Sequence, residues 1–430
     1  MIVRISTAQS RRLIAGVSIF VALWLAFFSI RTAIAAHEVG LGDLRGYERA
    51  VRLEPRNAFY WYLLGRYFQY NLDAFDPGKA IQAYQKSLAL EPRSAEALMD
   101  LASVYDGEGD SQNAERYFVD AKRAYPASAE TRWRYGNFLL REGRIPDAYR
   151  ELHQAVVADP SFGPEAFSRC WRVNPDAEAI ADQVLTPRPE IYVEVVHQLA
   201  GQGLLDPALQ IWQRLVALHP TLPSWNLFRL SQALITAGRP AEAHQVWLQA
   251  GNMLATPVDP DPPSIVWDGG FESDVTGYGF TWNPKTDQSG YRISFDSQQK
   301  HSGKQSLRVI FDGTKNVNMS DACQLLLVEP GKTYQVSGWI LTNGITKDEG
   351  LRLAISANRS ATPSGGITED VRGTQNWTLV QTHWTSPSDS QLADLCLVRR
   401  AGGEGDGTIA GAAWIDDVKV TPTTTGNPEQ

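Results

Sequence analysis

The pattern of apolar and polar positions divides the chain of 430 residues into three parts. Residues 13–30 form an uninterrupted stretch without a charged side chain. Through residues 37–252 apolar residues recur three and four positions apart, as on one face of a helix, and through residues 265–421 they alternate with polar residues, as in strands. The pattern therefore predicts a multidomain protein with an apolar N-terminal helix, an all-α region and a C-terminal all-β sandwich.

The apolar stretch is long enough to approach the thickness of a bilayer. A helix rises ~1.5 Å per residue, and the hydrocarbon core of a membrane is about 30 Å thick. We predict that residues 13–30 are a transmembrane anchor, preceded by a cytoplasmic N-terminus at residues 1–12, and that the arginines at positions 11 and 12 keep this terminus inside. The alternative is a signal peptide that is cleaved near Ala35, within the small-residue motif Ala33-Ile34-Ala35, so that the protein is secreted.

A motif with a period of 34 residues occurs three times in the helical part. Ala80, Ala114 and Ala148 are each followed four positions later by an aromatic residue or leucine, and twelve positions later by proline. A glycine or alanine precedes each of them in the neighbouring predicted helix, and half-units recur around residues 208 and 243. This series resembles the tetratricopeptide repeat, in which each unit is a pair of antiparallel helices. The resemblance implies a solenoid over residues 37–252 whose concave face binds a protein partner.

A proline-rich stretch precedes the β part. Residues 253–264 contain the run TPVDPDPP, which predicts a stiff linker. Five motifs follow in order: WDGGFES, HSGKQSLRV, VEPGKTYQVSGWI, GTQNWTLV and WIDDVKV. Together they resemble the galactose-binding-like jelly roll, in particular the carbohydrate-binding modules attached to bacterial glycoside hydrolases. The resemblance implies a β-sandwich over residues 265–421, followed by a disordered tail at residues 422–430.

Carbohydrate-binding modules stack sugar rings on aromatic side chains and bind hydroxyl groups with polar ones. Strand alternation places Trp339 and Gln335 on the face opposite Tyr334 and Val336, where a groove is expected. Trp282 and Tyr291 are the other aromatic candidates. We therefore predict a carbohydrate site from Trp282, Tyr291, Gln335 and Trp339, and the alternative for both tryptophans is packing inside the domain.

Related jelly rolls often carry a structural calcium ion near the meeting point of their first and last strands. The matching carboxylates here are Glu272 and either Asp416 or Asp417, with backbone carbonyl groups of residues 302–304 completing the shell. Adjacent residues on a strand point to opposite faces, so only one of the two aspartates is expected to reach the ion. Asp416 is preferred because it shares a face with Trp414.

The chain has three cysteines, too few for a disulfide scaffold or a cysteine-ligated zinc site. Cys170 lies in a predicted helix, and we expect a buried thiol. Cys323 and Cys396 both lie in predicted strands. A disulfide between them and two separate buried thiols are both compatible with the sequence, and we predict the separate thiols.

Charge and motifs narrow the function classes. The net charge is −8, and the first 36 residues contain four arginines and no acid, so the remainder sums to −8 − 4 = −12. An acidic chain argues against binding to nucleic acid. The sequence lacks a GxSxG motif, a P-loop and a glycine-rich dinucleotide motif. The adjacent pair Asp416–Asp417 is not a glycosidase pair, because such carboxylates face each other across a sugar. We therefore predict no catalytic residues.

These features predict a non-enzymatic, membrane-anchored adaptor. Its solenoid would bind a protein and its jelly roll a polysaccharide, with one pass through a bacterial inner membrane and the bulk of the chain in the periplasm. The combination of anchor, tetratricopeptide units and jelly roll looks like proteins from bacterial exopolysaccharide loci. One alternative is that the sandwich is a protein-binding or oligomerising module without a sugar ligand, and the other is a carbohydrate-active enzyme.

Overall fold

A computed structural model describes residues 8–223, 227–254, 262–273, 277–346, 349–358, 364–401 and 407–423. The chain divides into two compact units, Met1–Thr186 and Pro187–Gln430. Residues 255–261 of the predicted linker and residues 424–430 of the predicted disordered tail lie outside the described residues.

The first unit consists of helices joined by short turns. Most of them begin at a residue whose side chain caps the helix, since Asp43, Asn57, Asp76, Ser94, Asp110 and Ser128 each accept a hydrogen bond from a first-turn backbone N–H. The helices are α1 (Ala8–Gly40), α2 (Leu44–Leu53), α3 (Ala58–Tyr70), α4 (Pro77–Leu90), α5 (Ala95–Gly107), α6 (Ser111–Ala124), α7 (Ala129–Arg141), α8 (Ile145–Ala158), α9 (Gly163–Val173) and α10 (Ala177–Gln183).

Successive helices pair with the predicted period of 34 residues: α3 with α4, α5 with α6, and α7 with α8. Small residues let the two helices of a pair approach closely. A Cβ atom at Gly136 would lie 2.8 Å from Cγ of Leu152, and one at Gly65 would lie 2.7 Å from the ring of Tyr84. Ala80, Ala114 and Ala148 are fully buried. The tetratricopeptide-type solenoid is therefore confirmed.

Helix α1 is 33 residues long, and its first and last parts lie in different surroundings. The residues of its apolar part are mostly exposed, and the helix meets the length and hydropathy requirements of a membrane span, as a signal sequence also can. Its last turns pack on α2, where Ala35 is 0% exposed and shares a core with Ala50, Val51 and Tyr60. The end of α1 thus acts as the first helix of the repeat array.

The second unit begins with four further described helices, α11 (Pro189–Gly201), α12 (Leu205–Ala217), α13 (Arg229–Thr236) and α14 (Pro240–Asn252). The two predicted half-units lie in α12 and α14. Ala208 and Ala243 are buried there, as are Trp212 and Trp247 four positions later. The helical pattern recognised in the sequence therefore extends to the proline-rich stretch.

The rest of the second unit is a sandwich of two antiparallel sheets, as predicted. One sheet has the strand order β1-β5-β10-β7-β8 and the other β2-β3-β4-β11-β6-β9. Inward-facing apolar side chains of both sheets form one core. The strands are β1 (Asn283–Pro284), β2 (Asp287–Gln288), β3 (Tyr291–Asp296), β4 (Ser306–Asp312), β5 (Met319–Leu327), β6 (Thr333–Ile345), β7 (Arg352–Asn358), β8 (Gly365–Ile367), β9 (Gly373–Thr385), β10 (Leu392–Arg399) and β11 (Ala410–Pro422).

Aromatic rings join the last helices to the sandwich. The indole of Trp247 on α14 makes edge contacts with Trp267 at 5.4 Å and Phe280 at 5.9 Å between ring centroids. Phe228, next to α13, stacks on Tyr278 at 5.7 Å. The helices before the proline-rich stretch and the sandwich after it are therefore in contact through these rings.

Cys323 and Cys396 form a disulfide, so the prediction of separate thiols is wrong. The two residues lie directly opposite each other on β5 and β10, with their Cα atoms 4.1 Å apart. This pairing depends on strand register, which the spacing of cysteines along the sequence does not show. Cys170 on α9 is a buried thiol, as expected.

The close approach of α7 and α8 leads to a stability prediction. Replacing Gly136 with Leu would force the new side chain into Leu152, and we expect a loss of about 1–3 kcal/mol in the free energy of unfolding. Urea unfolding followed by circular dichroism measures this loss. The matched control is Gly107→Leu, because a Cβ atom there meets no atom within 4 Å. Equal stability of the two variants would show that the repeats are registered differently.

Candidate functional site

The outward surface of β6 and β9 carries a mixture of rings and amides. Along β6 the side chains of Tyr334, Val336 and Ile340 are buried, whereas the alternate positions face outward. Those positions pair with β9 as Gln335 with His383, Ser337 with Gln381, and Trp339 with Leu379. We call this surface the Trp339 face, and it consists of Gln335, Ser337, Trp339, Trp377, Leu379, Gln381 and His383.

A histidine from a loop completes the aromatic part of the Trp339 face. The ring of His301 stacks on Trp339 with centroids 4.2 Å apart and meets the edge of Trp377 at 5.5 Å. Beside them Leu379 is 46% exposed, and Gln335 donates a hydrogen bond to Gln381 across the strands at 3.1 Å. The surface therefore combines ring faces and amides, the two groups that contact a sugar's apolar face and its hydroxyls.

The outward surface of the opposite sheet has a different character. The outward positions of β5, β7 and β10 hold small, aliphatic and charged residues and the Cys323–Cys396 disulfide. Among the described residues, these three strands present no aromatic ring to solvent. Stacking on a sugar ring is thus available on the Trp339 face and not on these strands.

The structure brings together only part of the predicted carbohydrate site. Gln335 and Trp339 lie on the Trp339 face, but Trp282 and Tyr291 are 3% and 6% exposed and belong to the core. The indole N–H of Trp282 donates to the carbonyl of Asp268 at 3.0 Å. The hydroxyl of Tyr291 is hydrogen-bonded to Asp321, and burial raises its pKa. Neither ring is open to a sugar in this structure.

Sequence reasoning missed His301, Trp377 and Leu379. Trp377 and Leu379 are two positions apart on β9, so strand alternation could have placed them on one face. His301 comes from the loop between β3 and β4, and no periodic pattern indicates where a loop side chain will lie.

Two carboxylates hold the loop that carries His301. Asp416 is fully buried and its Oδ2 accepts hydrogen bonds from the backbone N–H of His301 at 2.7 Å and of Ser302 at 3.1 Å. Glu272 accepts the backbone N–H of Lys304 at 2.7 Å. Gly303 has a positive φ of 59°, and a Cβ atom there would collide with the Glu272 carboxylate, so glycine is needed.

Asp417 reaches the same loop, which corrects our expectation that it faces the opposite side from Asp416. Its carboxylate contacts Nδ1 of His301 at 2.6 Å and accepts the Ser302 hydroxyl at 2.8 Å. The pairing of β11 with β6 shifts between Asp416 and Lys419, and Asp417 has a φ of 48°. This bulge interrupts the alternation of side chains and lets both aspartates hold the loop.

The arrangement does not fit the calcium shell implied by the resemblance. A calcium site needs carbonyl and carboxylate oxygens around the ion, whereas here N–H groups of the loop point at Glu272 and Asp416. Within the described residues no group of three His, Cys, Asp or Glu side chains is placed to hold a metal ion. Burial raises the pKa of the nearby Asp268 to about 6, and the charges of Glu272 and Asp416 add to this rise. Calcium binding stays a prediction.

The solenoid of the first unit carries a second candidate site. A cavity of about 290 Å³ is lined by side chains of α3, α5 and α7 and the turn before α7. At its base the buried carboxylate of Asp100 accepts hydrogen bonds from Arg134 at 2.7 Å and from the Tyr62 hydroxyl at 3.1 Å. Burial, followed by the charge of Asp100, raises the pKa of Tyr62 to about 12. The lining residues are Tyr62, Ala95, Glu96, Met99, Asp100, Tyr125, Ser128, Glu130 and Arg134.

The hydrogen bonds that hold the loop carrying His301 lead to a prediction that also tests calcium. Replacing Asp416 with Asn removes the charge from two buried hydrogen bonds, so the free energy of unfolding should fall by about 1–3 kcal/mol. Unfolding should be measured with excess calcium and with a chelator, using Asp287→Asn at the exposed pair with Arg292 as the control. We expect the same loss in both conditions. Stabilisation of the unaltered protein by calcium, abolished in Asp416→Asn, would show that the carboxylates bind the ion instead.

One family model matches the C-terminal part of the chain. Residues 264–397 match the family model described as "Carbohydrate binding domain". A search of curated proteins finds no match. Among solved structures, the chain is similar to MamA, with 19% identity over 43% of this chain and 93% of that one and a TM-score of 0.28. It is also similar to YrrB, described as a TPR protein with an unusual peptide-binding site, with 16% identity over 49% and 93% and a TM-score of 0.27.

A third similar structure is pilF of Pseudomonas aeruginosa, with 19% identity over 45% of this chain and 90% of that one and a TM-score of 0.26. The helical fold itself follows from the repeated helix pairs of the two units. The chain therefore combines a tetratricopeptide-type helical solenoid with a C-terminal β-sandwich that matches a carbohydrate-binding domain.

Proposed function

We propose that this protein is a non-enzymatic, membrane-anchored adaptor whose solenoid binds a protein and whose sandwich binds a polysaccharide. The setting we propose is the assembly or export of an exopolysaccharide on the outer side of a bacterial inner membrane. The observation that carries the proposal is the Trp339 face, a surface of rings and amides on a sandwich that matches a carbohydrate-binding domain.

The geometry of the Trp339 face supports a polysaccharide. Trp339 and Trp377 lie on the neighbouring strands β6 and β9, and Leu379 lies directly opposite Trp339. The amides of Gln335 and Gln381 continue the same surface. A strand rises about 3.3 Å per residue, so the four steps from Gln335 to Trp339 cover roughly 13 Å, which is longer than one sugar ring. An open surface of this kind suits an extended chain better than an enclosed monosaccharide.

The surroundings of α1 support an anchor that stays attached. Signal cleavage after Ala35 would cut within a helix, at a residue that is fully buried against α2. It would also remove Arg31 and Thr32, which bond to Glu54 at 2.8 Å and 3.2 Å. The folded first repeat therefore needs residues that cleavage would discard.

The solenoid cavity supports a protein partner. Asp100, Glu96 and Glu130 and the two tyrosines of its wall offer polar and aromatic contacts on successive repeats. A peptide lying along α3, α5 and α7, the helices that line the cavity, would contact each repeat in turn. Catalysis is not part of the proposal, because the buried carboxylates of the sandwich are occupied by backbone N–H donors rather than facing each other across a cleft.

The sugar ligand is tested on the full chain in detergent with a panel of bacterial polysaccharides. Trp377→Ala should weaken binding about two- to tenfold, because aromatic contacts contribute roughly 0.5–1.5 kcal/mol and 1.4 kcal/mol is a factor of ten. Tyr125→Ala, which removes an exposed ring from the solenoid, should bind like the unaltered protein. Equal binding by Trp377→Ala would place the sugar elsewhere, and absence of binding to any polysaccharide would favour a protein-binding sandwich.

A further inference from the structure

One edge of the first repeats lies beside the end of the apolar segment of α1. Glu54 begins the α2–α3 turn, and its carboxylate is bonded to Nε of Arg31 at 2.8 Å and to the hydroxyl of Thr32 at 3.2 Å. Arg31 directly follows the apolar residues 13–30. The α2–α3 turn therefore lies level with the end of the segment that would cross the bilayer.

The α4–α5 turn belongs to the same edge. The hydroxyl of Ser87, in the last turn of α4, donates to the carbonyl of Ala58 in the first turn of α3 at 2.8 Å. The end of α4 thus lies beside the α2–α3 turn. We call five exposed residues of these turns and of the helix ends beside them the turn edge: Arg52, Arg56, Phe59, Leu90 and Arg93. The exposed Glu91 lies among them.

We infer that the turn edge rests on the surface of the membrane that α1 spans and binds its phospholipid headgroups. This inference depends on the proposed anchoring of α1. Three of the five residues are arginines, whose planar guanidinium groups form bidentate hydrogen bonds with phosphates. The other two are apolar, and Phe59 is 56% exposed. An exposed aromatic ring flanked by basic residues is typical of chains that lie at a membrane interface.

The two edges of the first repeats differ in the sign of their charge. The turn edge with Arg31 carries four arginines against Glu54 and Glu91, a sum of 4 − 2 = +2. The α3–α4 and α5–α6 turns at the other end carry Asp73, Asp76, Glu108 and Asp110 and no basic residue. Lipid phosphates would attract the first edge and repel the second. The exposed apolar residues of the α3–α4 turn therefore do not offer an equivalent membrane contact.

The chain allows a clean test with single fluorescent labels. Cys170 is buried and the other two cysteines form a disulfide, so an introduced exposed cysteine is the reactive thiol. Phe59→Cys places a label on the turn edge. Leu72→Cys, at a 94% exposed site in the α3–α4 turn, is the matched control about 20 Å away, since α3 has 13 residues at ~1.5 Å each.

The full chain is reconstituted in vesicles of phosphatidylcholine with one quarter phosphatidylglycerol, with and without lipids that carry a quencher near the headgroup. We expect severalfold stronger quenching of the label at residue 59 than at residue 72, and a clear reduction when Arg52→Glu and Arg56→Glu are added. Equal quenching at the two sites in protein that floats with the vesicles would overturn the inference alone. Failure to float with the vesicles would overturn the anchoring and the inference together.

Discussion

The helices of a tetratricopeptide array bury their apolar faces against neighbouring helices. The outer apolar face of the first helix pair therefore needs another element to cover it. In the first unit this cover is the end of α1. Ala35 packs into the core with Ala50 and Val51, and Arg31 and Thr32 tie α1 to Glu54. The segment that would cross a membrane and the helix that closes the repeats are therefore one continuous element, and both proposals about the membrane depend on it.

In the second unit the sandwich provides a comparable cover for the last helices. Trp247 lies against Trp267 and Phe280, so an aromatic residue of the repeat pattern packs on the jelly roll rather than on another repeat. Within the sandwich, the candidate site depends on a similar chain of contacts. Asp416 and Asp417 hold the loop that places His301 on Trp339. The position of His301 on the Trp339 face is thus set by two carboxylates of β11.

The periodic spacing of apolar residues made the architecture predictable. The wrong predictions concern features that have no periodic signal in the sequence. The 34-residue spacing of Ala80, Ala114 and Ala148 predicted helix pairs because local packing repeats with the sequence. Strand alternation likewise placed Gln335 and Trp339 on an outward face. The pairing of Cys323 with Cys396 depends on the register of two strands, and the orientation of Asp417 depends on a bulge. The pattern of a single strand contains neither of them.

The central claim, that α1 is at once an anchor and the first helix of the solenoid, is tested most directly by the intact mass of the protein extracted from the membranes of cells that produce it. An uncleaved α1 predicts a mass that includes residues 1–35. A protein whose sequence begins at Ala36 would contradict the account, because Arg31, Thr32 and the buried Ala35 would all be missing from the folded molecule.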